Sequence, residues 1–256
     1  MLHPIALPAL ADNYIWALAG ANGAAVIVDP GEAEPVLKAM EQGLRPCAIL
    51  VTHHHRDHIG AVEALAERCG AIVYAPEDPR IAGDFVRVGE ADVVEVRQAG
   101  LSFSVMAVPG HTRSHIAFAG EGLVFPGDTL FSLGCGRLFE GTPEQMFGSL
   151  ERLAALPPET QVCCAHEYTL GNAAFALAVE PGNAALVRRT ARAREARALG
   201  NPTLPVSIGS ERDTNPFLRC REPRLAACVA DHAGCDTSDP VAVFAALRRW
   251  KDGFTA

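Results

Sequence analysis

The sequence predicts an α/β sandwich-like domain over residues 1–168 and a smaller helical domain over residues 169–256. Three observations carry this. Through the first two-thirds of the chain, short apolar runs stop at Asp-Pro, Pro-Gly or Gly turns, as strands of a layered sheet do. Segments with apolar residues at helical spacing alternate with those runs. After Tyr168 the texture changes to Ala, Arg and Glu at helical spacing, so the remaining core has to be built from packed helices.

The elements follow in order. "LHPIAL" and "NYIWALAG" read as strands joined by a turn at Asp12-Asn13. "AAVIVDPG" reads as a strand stopped by Asp29-Pro30-Gly31. Residues 32–42 form a helix with Val36, Leu37 and Met40 on one face, and "CAILVT" is a buried strand. "IGAVEALAERCG" places Ile59, Val62, Leu65, Ala66 and Cys69 at helical spacing, with Gly70 as the stop. The strands "AIVYA", "DVVEV", "LSFSVMAVPG", "HIAFAG" and "GLVFPGD" come next. "TPEQMFGSLERLAAL" is a helix capped by Thr142 with Pro143 in its first turn, and "QVCCAH" is a last strand. Beyond it, residues 169–199 are helical, "NPTLPVSIGSERDTNPFLRCREP" is a Pro- and Gly-punctuated connection, and residues 239–251 close the chain as a helix.

Composition excludes several classes. At 49% apolar and 20% charged residues the chain can bury a sizeable core, so disorder is not expected. A formal net charge of −8 with no long Lys/Arg run argues against a nucleic-acid partner, because phosphate neutralisation supplies most of that affinity. No basic region precedes an apolar stretch at the N-terminus, where Pro4 and Pro8 interrupt the run, so no signal peptide is expected. No apolar stretch reaches the roughly 18 residues of a membrane span. Eight cysteines without a C-x-x-C pair read as reduced thiols in a cytoplasmic protein, mostly small core residues.

The chemistry begins at "THHHRDH", residues 52–58. In an extended segment residues i and i+2 point the same way, so His53 and His55 share a face while His54 and Arg56 look elsewhere. Asp57 and His58 follow in the turn into the next helix. A lone histidine is usually a surface or hydrogen-bonded core residue. Here further donors arrive separately at strand ends: His111 in "VPGHTRSH", Asp128 in "VFPGDTLF" and His166 in "CCAHEY". Imidazoles and carboxylates converging in this manner suit a pair of neighbouring cations better than a solvated loop. Asp29 reads equally as a turn-forming residue before Pro and as a support for a metal ligand.

The H-x-H-x-D-H pattern of residues 53–58, followed in order by His111, Asp128 and His166, resembles the metallo-β-lactamase superfamily. "CGRLFEGTPEQM", "AHEYTLGN", "NPFLR" and the terminal "RRWKDGF" resemble, within it, the glyoxalase II (hydroxyacylglutathione hydrolase) family over essentially the whole chain. The resemblance implies an αββα sandwich with a dinuclear metal site on its edge and a smaller C-terminal helical domain. It implies His53, His55 and His111 on one metal, Asp57, His58 and His166 on the other, and Asp128 bridging. His54 and His115 are not among the implied ligands. Zinc is the expected metal, with iron or manganese as alternatives, since His/Asp ligation does not choose among them.

The implied activity is hydrolysis of S-D-lactoylglutathione and other S-2-hydroxyacylglutathiones, the second step of methylglyoxal detoxification. Hydroxide shared by the two metals attacks the thioester carbonyl, with Asp57 and Asp128 fixing the metals and orienting the nucleophile. A thiolate is a good leaving group, so no protein acid is required, and Cys135 in "GCGR" reads as a small packed residue rather than a nucleophile. Glutathione carries two carboxylates, and Arg137, Tyr168, Arg248 and Lys251 match the family's glutathione positions. Arg248 and Lys251 share a helix face, Arg249 is the alternative if the register slips, and a solvated helix face is the competing reading for Lys251. Phe139 stands where the family commonly has Tyr, which removes a phenolic hydrogen bond of about 1 kcal/mol. A related thioesterase or lactonase is the nearest rival. A di-iron redox protein ranks below it, because the tail has no flavin or cysteine-ligated iron motif. The resemblance favours a monomer.

Overall fold

Apolar strands buried on both faces build the first sheet of this computed structural model, which describes residues 2–255. β1 (Ile5–Ala9) pairs antiparallel with β2 (Asn13–Ala19), and β2 with β3 (Ala24–Val28). Ile15, Ala17 and Ile27 then pack on one face, against α1 (Glu34–Glu41) through Val36. The alternate residues Trp16, Leu18, Val26 and Val28 are buried too, so these central strands are covered on both faces. β4 (Arg45–Leu50) runs parallel to β3. The next segment is not one helix. α2 (Arg56–Ile59) ends at Gly60, and α3 (Val62–Cys69) adds Val62 and Leu65 to the same core before Gly70 stops it at φ +63°. β5 (Ile72–Ala75) and β6 (Val86–Arg87) complete the sheet in the order β1-β2-β3-β4-β5-β6, parallel from β3 onward.

That parallel half positions the chemistry. In open α/β sheets, ligands gather beyond the carboxyl ends of parallel strands. Asp29 follows β3 there, and Thr52 to His55 follow β4. A β-carbon on Gly31 would collide with the backbone carbonyl of Asp57, so the Asp-Pro-Gly turn lies directly against α2.

The other strands of this unit are β7 (Val93–Val96), β8 (Leu101–Ala107), β9 (Ile116–Gly120) and β10 (Leu123–Phe125), antiparallel in the order β10-β9-β8-β7. The backbone N–H of Ile116 donates to Thr52 O and ties them to the end of β4. Two compact units emerge. The first holds the chain up to Ala107, Ser114–Gly127 and Cys163–His166, and the second holds Val108–Arg113, Asp128–Val162 and the chain from Glu167.

In the second unit, β11 (Leu130–Phe131) and β12 (Gly134–Cys135) form a short hairpin. α4 (Pro143–Ala154) starts with a complete capping box between Thr142 and Gln145, a device worth about 1 kcal/mol. The strand expected at "QVCCAH" is only β13 (Gln161–Val162), paired with β14 (Val206–Ser207). The helix expected over 169–199 is two, α5 (Thr169–Val179) and α6 (Ala184–Ala198). Pro181 and Gly182 interrupt it, and the Asn183 side chain caps the restart. The expected connection after Asn201 contains α7 (Ile208–Thr214) and a 3-10 turn at Pro216–Leu218. Its Pro and Gly residues conceal short elements that Ser207 and Asn215 cap and that Ile208 and Phe217 bury. α8 (Pro223–Ala233) and α9 (Pro240–Asp252) follow. Among the described residues no helix is long and apolar enough to cross a membrane.

Candidate functional site

The first unit gathers a cluster of imidazoles and carboxylates. His55 stays extended (φ −63°, ψ 144°) as the residue before α2, so His53 and His55 converge with His53 Nε2 3.0 Å from His55 Nδ1. Asp57 and His58 lie in the first turn of α2. His166 reaches them from far along the chain, because Cys163–His166 runs beside β2: Tyr14 N donates to Ala165 O and Trp16 Nε1 to Cys164 O. Asp57 Oδ2 stands 3.4 Å from His58 Nε2 and 3.4 Å from His166 Nε2.

The rings of His53, His58 and His166 are each turned by an oxygen acceptor behind them. His58 Nδ1 donates to Asp29 Oδ2 at 3.0 Å and His166 Nδ1 to Asp12 Oδ1 at 2.7 Å. Thr52 Oγ1 donates to Asp29 Oδ2 at 2.7 Å and so accepts from His53 Nδ1 at 3.1 Å. With Nδ1 committed as the donor, Nε2 carries the lone pair, which is the tautomer a metal needs. The spacing fits as well. Donors about 2.0–2.1 Å from a tetrahedral cation lie roughly 3.4 Å from one another, and Asp57, His58 and His166 offer ligand atoms that could hold an ion. Burial acts to raise the Asp57 carboxyl pKa. The neighbouring imidazoles of His166 and His58, with Asn13 Nδ2 donating to Oδ2 at 3.1 Å, outweigh burial and hold it well below the usual carboxylate range.

Asp29 is buried at φ +51° and also accepts from Thr52 N at 2.8 Å, so it ties together β4 and α2. His54 turns away toward Asp78 at 3.6 Å, where Arg80 and Ser114 anchor the carboxylate. Burial is the lesser influence on Asp78; hydrogen bonds led by Arg80 hold its pKa low. His115 stacks on His53 with ring centroids 4.5 Å apart and donates from Nδ1 to Ile116 O.

The second unit supplies a pocket of about 560 Å³. His111 and Asp128 are part of its lining, with His111 Nε2 3.4 Å from Asp128 Oδ2, the same separation as in the first cluster. His111 Nδ1 donates to Arg137 O at 2.9 Å, again leaving Nε2 as the lone-pair nitrogen. Gly136 is required here, since a β-carbon would collide with Asp128 O. Phe139 is 62% exposed and its ring meets His111 edge-on at 5.2 Å. Tyr168 packs edge-on to Phe131. Arg137 is exposed and 3.9 Å from Asp252. Arg248, by contrast, is buried, with Nη1 donating to Cys135 O and Nη2 to Asp252, both at 2.9 Å. Lys251 lies over Phe175 and Phe254, and burial, then Arg248 and Arg137, push its pKa down. Cys135 is in the same wall, its thiol pushed by burial up to about 11.

Comparison with known proteins gives these clusters a lineage. Residues 12–166 match the sequence model of the metallo-β-lactamase superfamily, and residues 167–254 match that of the hydroxyacylglutathione hydrolase C-terminus. A hydroxyacylglutathione hydrolase from Xanthomonas euvesicatoria pv. vesicatoria is 58% identical over 252 residues, covering 98% of both chains. The chain belongs to the hydroxyacylglutathione hydrolase family. The family's fold extends to solved structures. ETHE1 from Myxococcus xanthus superposes with TM-score 0.66 at 26% identity, over 99% of this chain and 90% of that one. TTHA1623, solved in a di-iron-bound form, gives 0.59 at 29% identity over 84% and 100%. This member of the hydroxyacylglutathione hydrolase family therefore has the metallo-β-lactamase fold with a C-terminal helical region.

By sequence alone Asp12-Asn13 reads as a turn and Thr52 has no role. The structure brings Asp12 to His166, Asn13 to Asp57, and Thr52 between Asp29 and His53. Asp and Asn in a turn carry no signal that separates the two uses.

Proposed function

We propose that this protein hydrolyses the thioester of S-D-lactoylglutathione, and of other S-2-hydroxyacylglutathiones, to glutathione and the 2-hydroxy acid. The observation that carries this is the pocket of the second unit, where cationic and aromatic side chains share one cavity with His111 and Asp128. The relatives named hydroxyacylglutathione hydrolase support it. His53, His55 and His111 are assigned to one cation, Asp57, His58 and His166 to a second, and Asp128 to both. Zinc is the proposed occupant, and the di-iron relative makes iron the competing one to be distinguished by elemental analysis. Residues 1–168 are proposed as the catalytic part and 169–256 as the substrate-binding part, a division supported by the spans of the two matching sequence models.

Divalent cations on these donors supply Lewis acidity and a nucleophile at neutral pH. The chain's own residues do the rest. Asp12, Asp29 and the carbonyl of Arg137 keep the imidazoles oriented, and Asp57 stays ionised near neutral pH. Arg137 and Lys251 place positive charge where the peptide carboxylates are held. Phe139 and Tyr168 cover the thioester with apolar surface and exclude water. Arg248 is proposed as a further cation of the substrate pocket, and it also fixes the loop carrying Cys135 and, through Asp252, the end of α9.

Metal-loaded protein should release free thiol from S-D-lactoylglutathione, lose this on chelation and regain it on metal return. Asp128→Ala should abolish it. No thiol release with both metals bound would refute the assignment, and faster turnover of lactones than of thioesters would favour a lactonase. A pH profile gives a second check. Because the Lys251 pKa lies below the ordinary lysine value of about 10.4, its charge is lost early as pH rises. KM should therefore climb in the alkaline range, and Lys251→Arg should move that rise to higher pH.

A further inference from the structure

The second unit contains another pocket, of about 580 Å³, that the thioester chemistry does not use. One wall is a single face of α6: Ala185, Arg188, Arg189 and Arg192 recur at helical spacing. The opposite side presents Thr203, Ser207 and Ser210. Arg188 and Arg192 are exposed, and neither forms an ion pair among the described residues. Like charges four residues apart on a helix repel, so this face carries a cost that a bound anion would remove. Arg189 is different. It is 8% exposed, its Nη2 donates to Thr203 O at 3.0 Å and Ser132 Oγ at 3.2 Å, and its Nε is buried with no hydrogen-bond partner. A buried, always-charged guanidinium with donors in excess of its protein acceptors calls for a further acceptor. Asp213 also lines the pocket, and the Glu211 carboxyl faces Arg189 from behind through Ser132 Oγ, so the positive charge open to a ligand is that of the exposed Arg188 and Arg192.

We propose that this pocket binds a small phosphate-bearing anion, gripped by Arg188, Arg189 and Arg192 and by the Ser207 and Ser210 hydroxyls. Planar guanidinium forks match phosphate oxygens, and Ser207 Oγ, which accepts from Ser210 N, retains its proton to donate. A concave site of this size with two exposed guanidiniums at its opening suits an anionic group on a metabolite-sized body. A nucleic-acid backbone needs an extended basic track, and the chain as a whole carries a net charge of −8.

The test is a titration of the metal-loaded protein with inorganic pyrophosphate, followed by amide shifts in two-dimensional NMR. Amides of α6, Thr203, Ser207 and Ser210 should shift saturably. Both substituted residues are exposed, so Arg188→Gln/Arg192→Gln should keep the wild-type spectrum elsewhere and bind at least about tenfold more weakly at these amides. Shifts confined to the residues around His58 would place pyrophosphate on the metals alone and overturn the proposal. Saturation at α6 that is unchanged in the double variant would do the same.

Discussion

Asp57→Ala should leave the protein folded, with one bound metal per chain instead of two, and should lower kcat/KM for the thioester by at least about 10³-fold, given that loss of a single oxyanion donor alone costs about 10²–10³. Asp57 is the residue on which His58, His166 and Asn13 all converge, and it is half-exposed, so its removal takes away chemistry without opening a core cavity. Elemental analysis reads the metal loss and thiol release reads the rate. Asp12→Asn acts through His166 alone, and changes behind a ligand typically cost about 10–100-fold in metal affinity or activity. An Asp57→Ala variant with two tightly bound metals and normal turnover would remove this carboxylate from the site.

The largest effect on stability is expected at Glu211, far from the histidines in sequence. Its buried carboxylate accepts from Ser132 Oγ at 2.9 Å, Leu133 N at 2.8 Å and Asn215 Nδ2 at 2.9 Å. Glu211→Ala strands those donors inside the fold, at a cost of about 3–5 kcal/mol. Urea unfolding should show a lower midpoint with an unchanged slope. Glu211→Gln keeps an acceptor for Leu133 and Asn215 and should cost much less. Burial pushes the Glu211 pKa up, so the native state holds its proton at a pH where the unfolded chain has released it. Stability contributed by this group is therefore full below the unfolded value and is lost as pH rises through the raised one. The alanine variant should lack that slope. An alanine variant as stable as wild type would show that Ser132, Leu133 and Asn215 find other partners.

The contrast between these two carboxylates shows what was legible in the sequence. Asp57 belongs to a local pattern: extended residues alternate faces, a helix begins, and spacing alone groups His53, His55, Asp57 and His58. Glu211 sits in a stretch whose Pro and Gly residues suggested a connection. Its role depends on a hairpin 78 residues upstream, which no periodicity reveals. β8 and the capped α4 were readable because burial repeats with the element's own period, and β2 and β3 because their apolar runs are continuous. The two-residue strands β13 and β14 are too short to show one. Asp12 and Arg248 mark the same limit at the site. A turn aspartate looks alike whether it faces water or an imidazole. An arginine near the end of a helix does not announce that two of its nitrogens donate to Cys135 O and Asp252 while its Nε stays buried beside the pocket, unpartnered among the described residues.

Cys135 has a consequence of its own. The proposed reaction liberates glutathione beside it, in a cavity where a reactive cysteine would invite mixed disulfides. Its thiol, pushed up to about 11, is ionised to only about one part in 10⁴ at neutral pH. Cys163 and Cys220 are likewise buried, with their thiols driven upward by the same desolvation. Attack on a disulfide requires the thiolate, which these buried thiols withhold at neutral pH. The wall of the substrate pocket is in this way insulated from redox exchange with the thiol product, and oxidised glutathione should leave Cys135 unmodified while the pocket stays open to substrate.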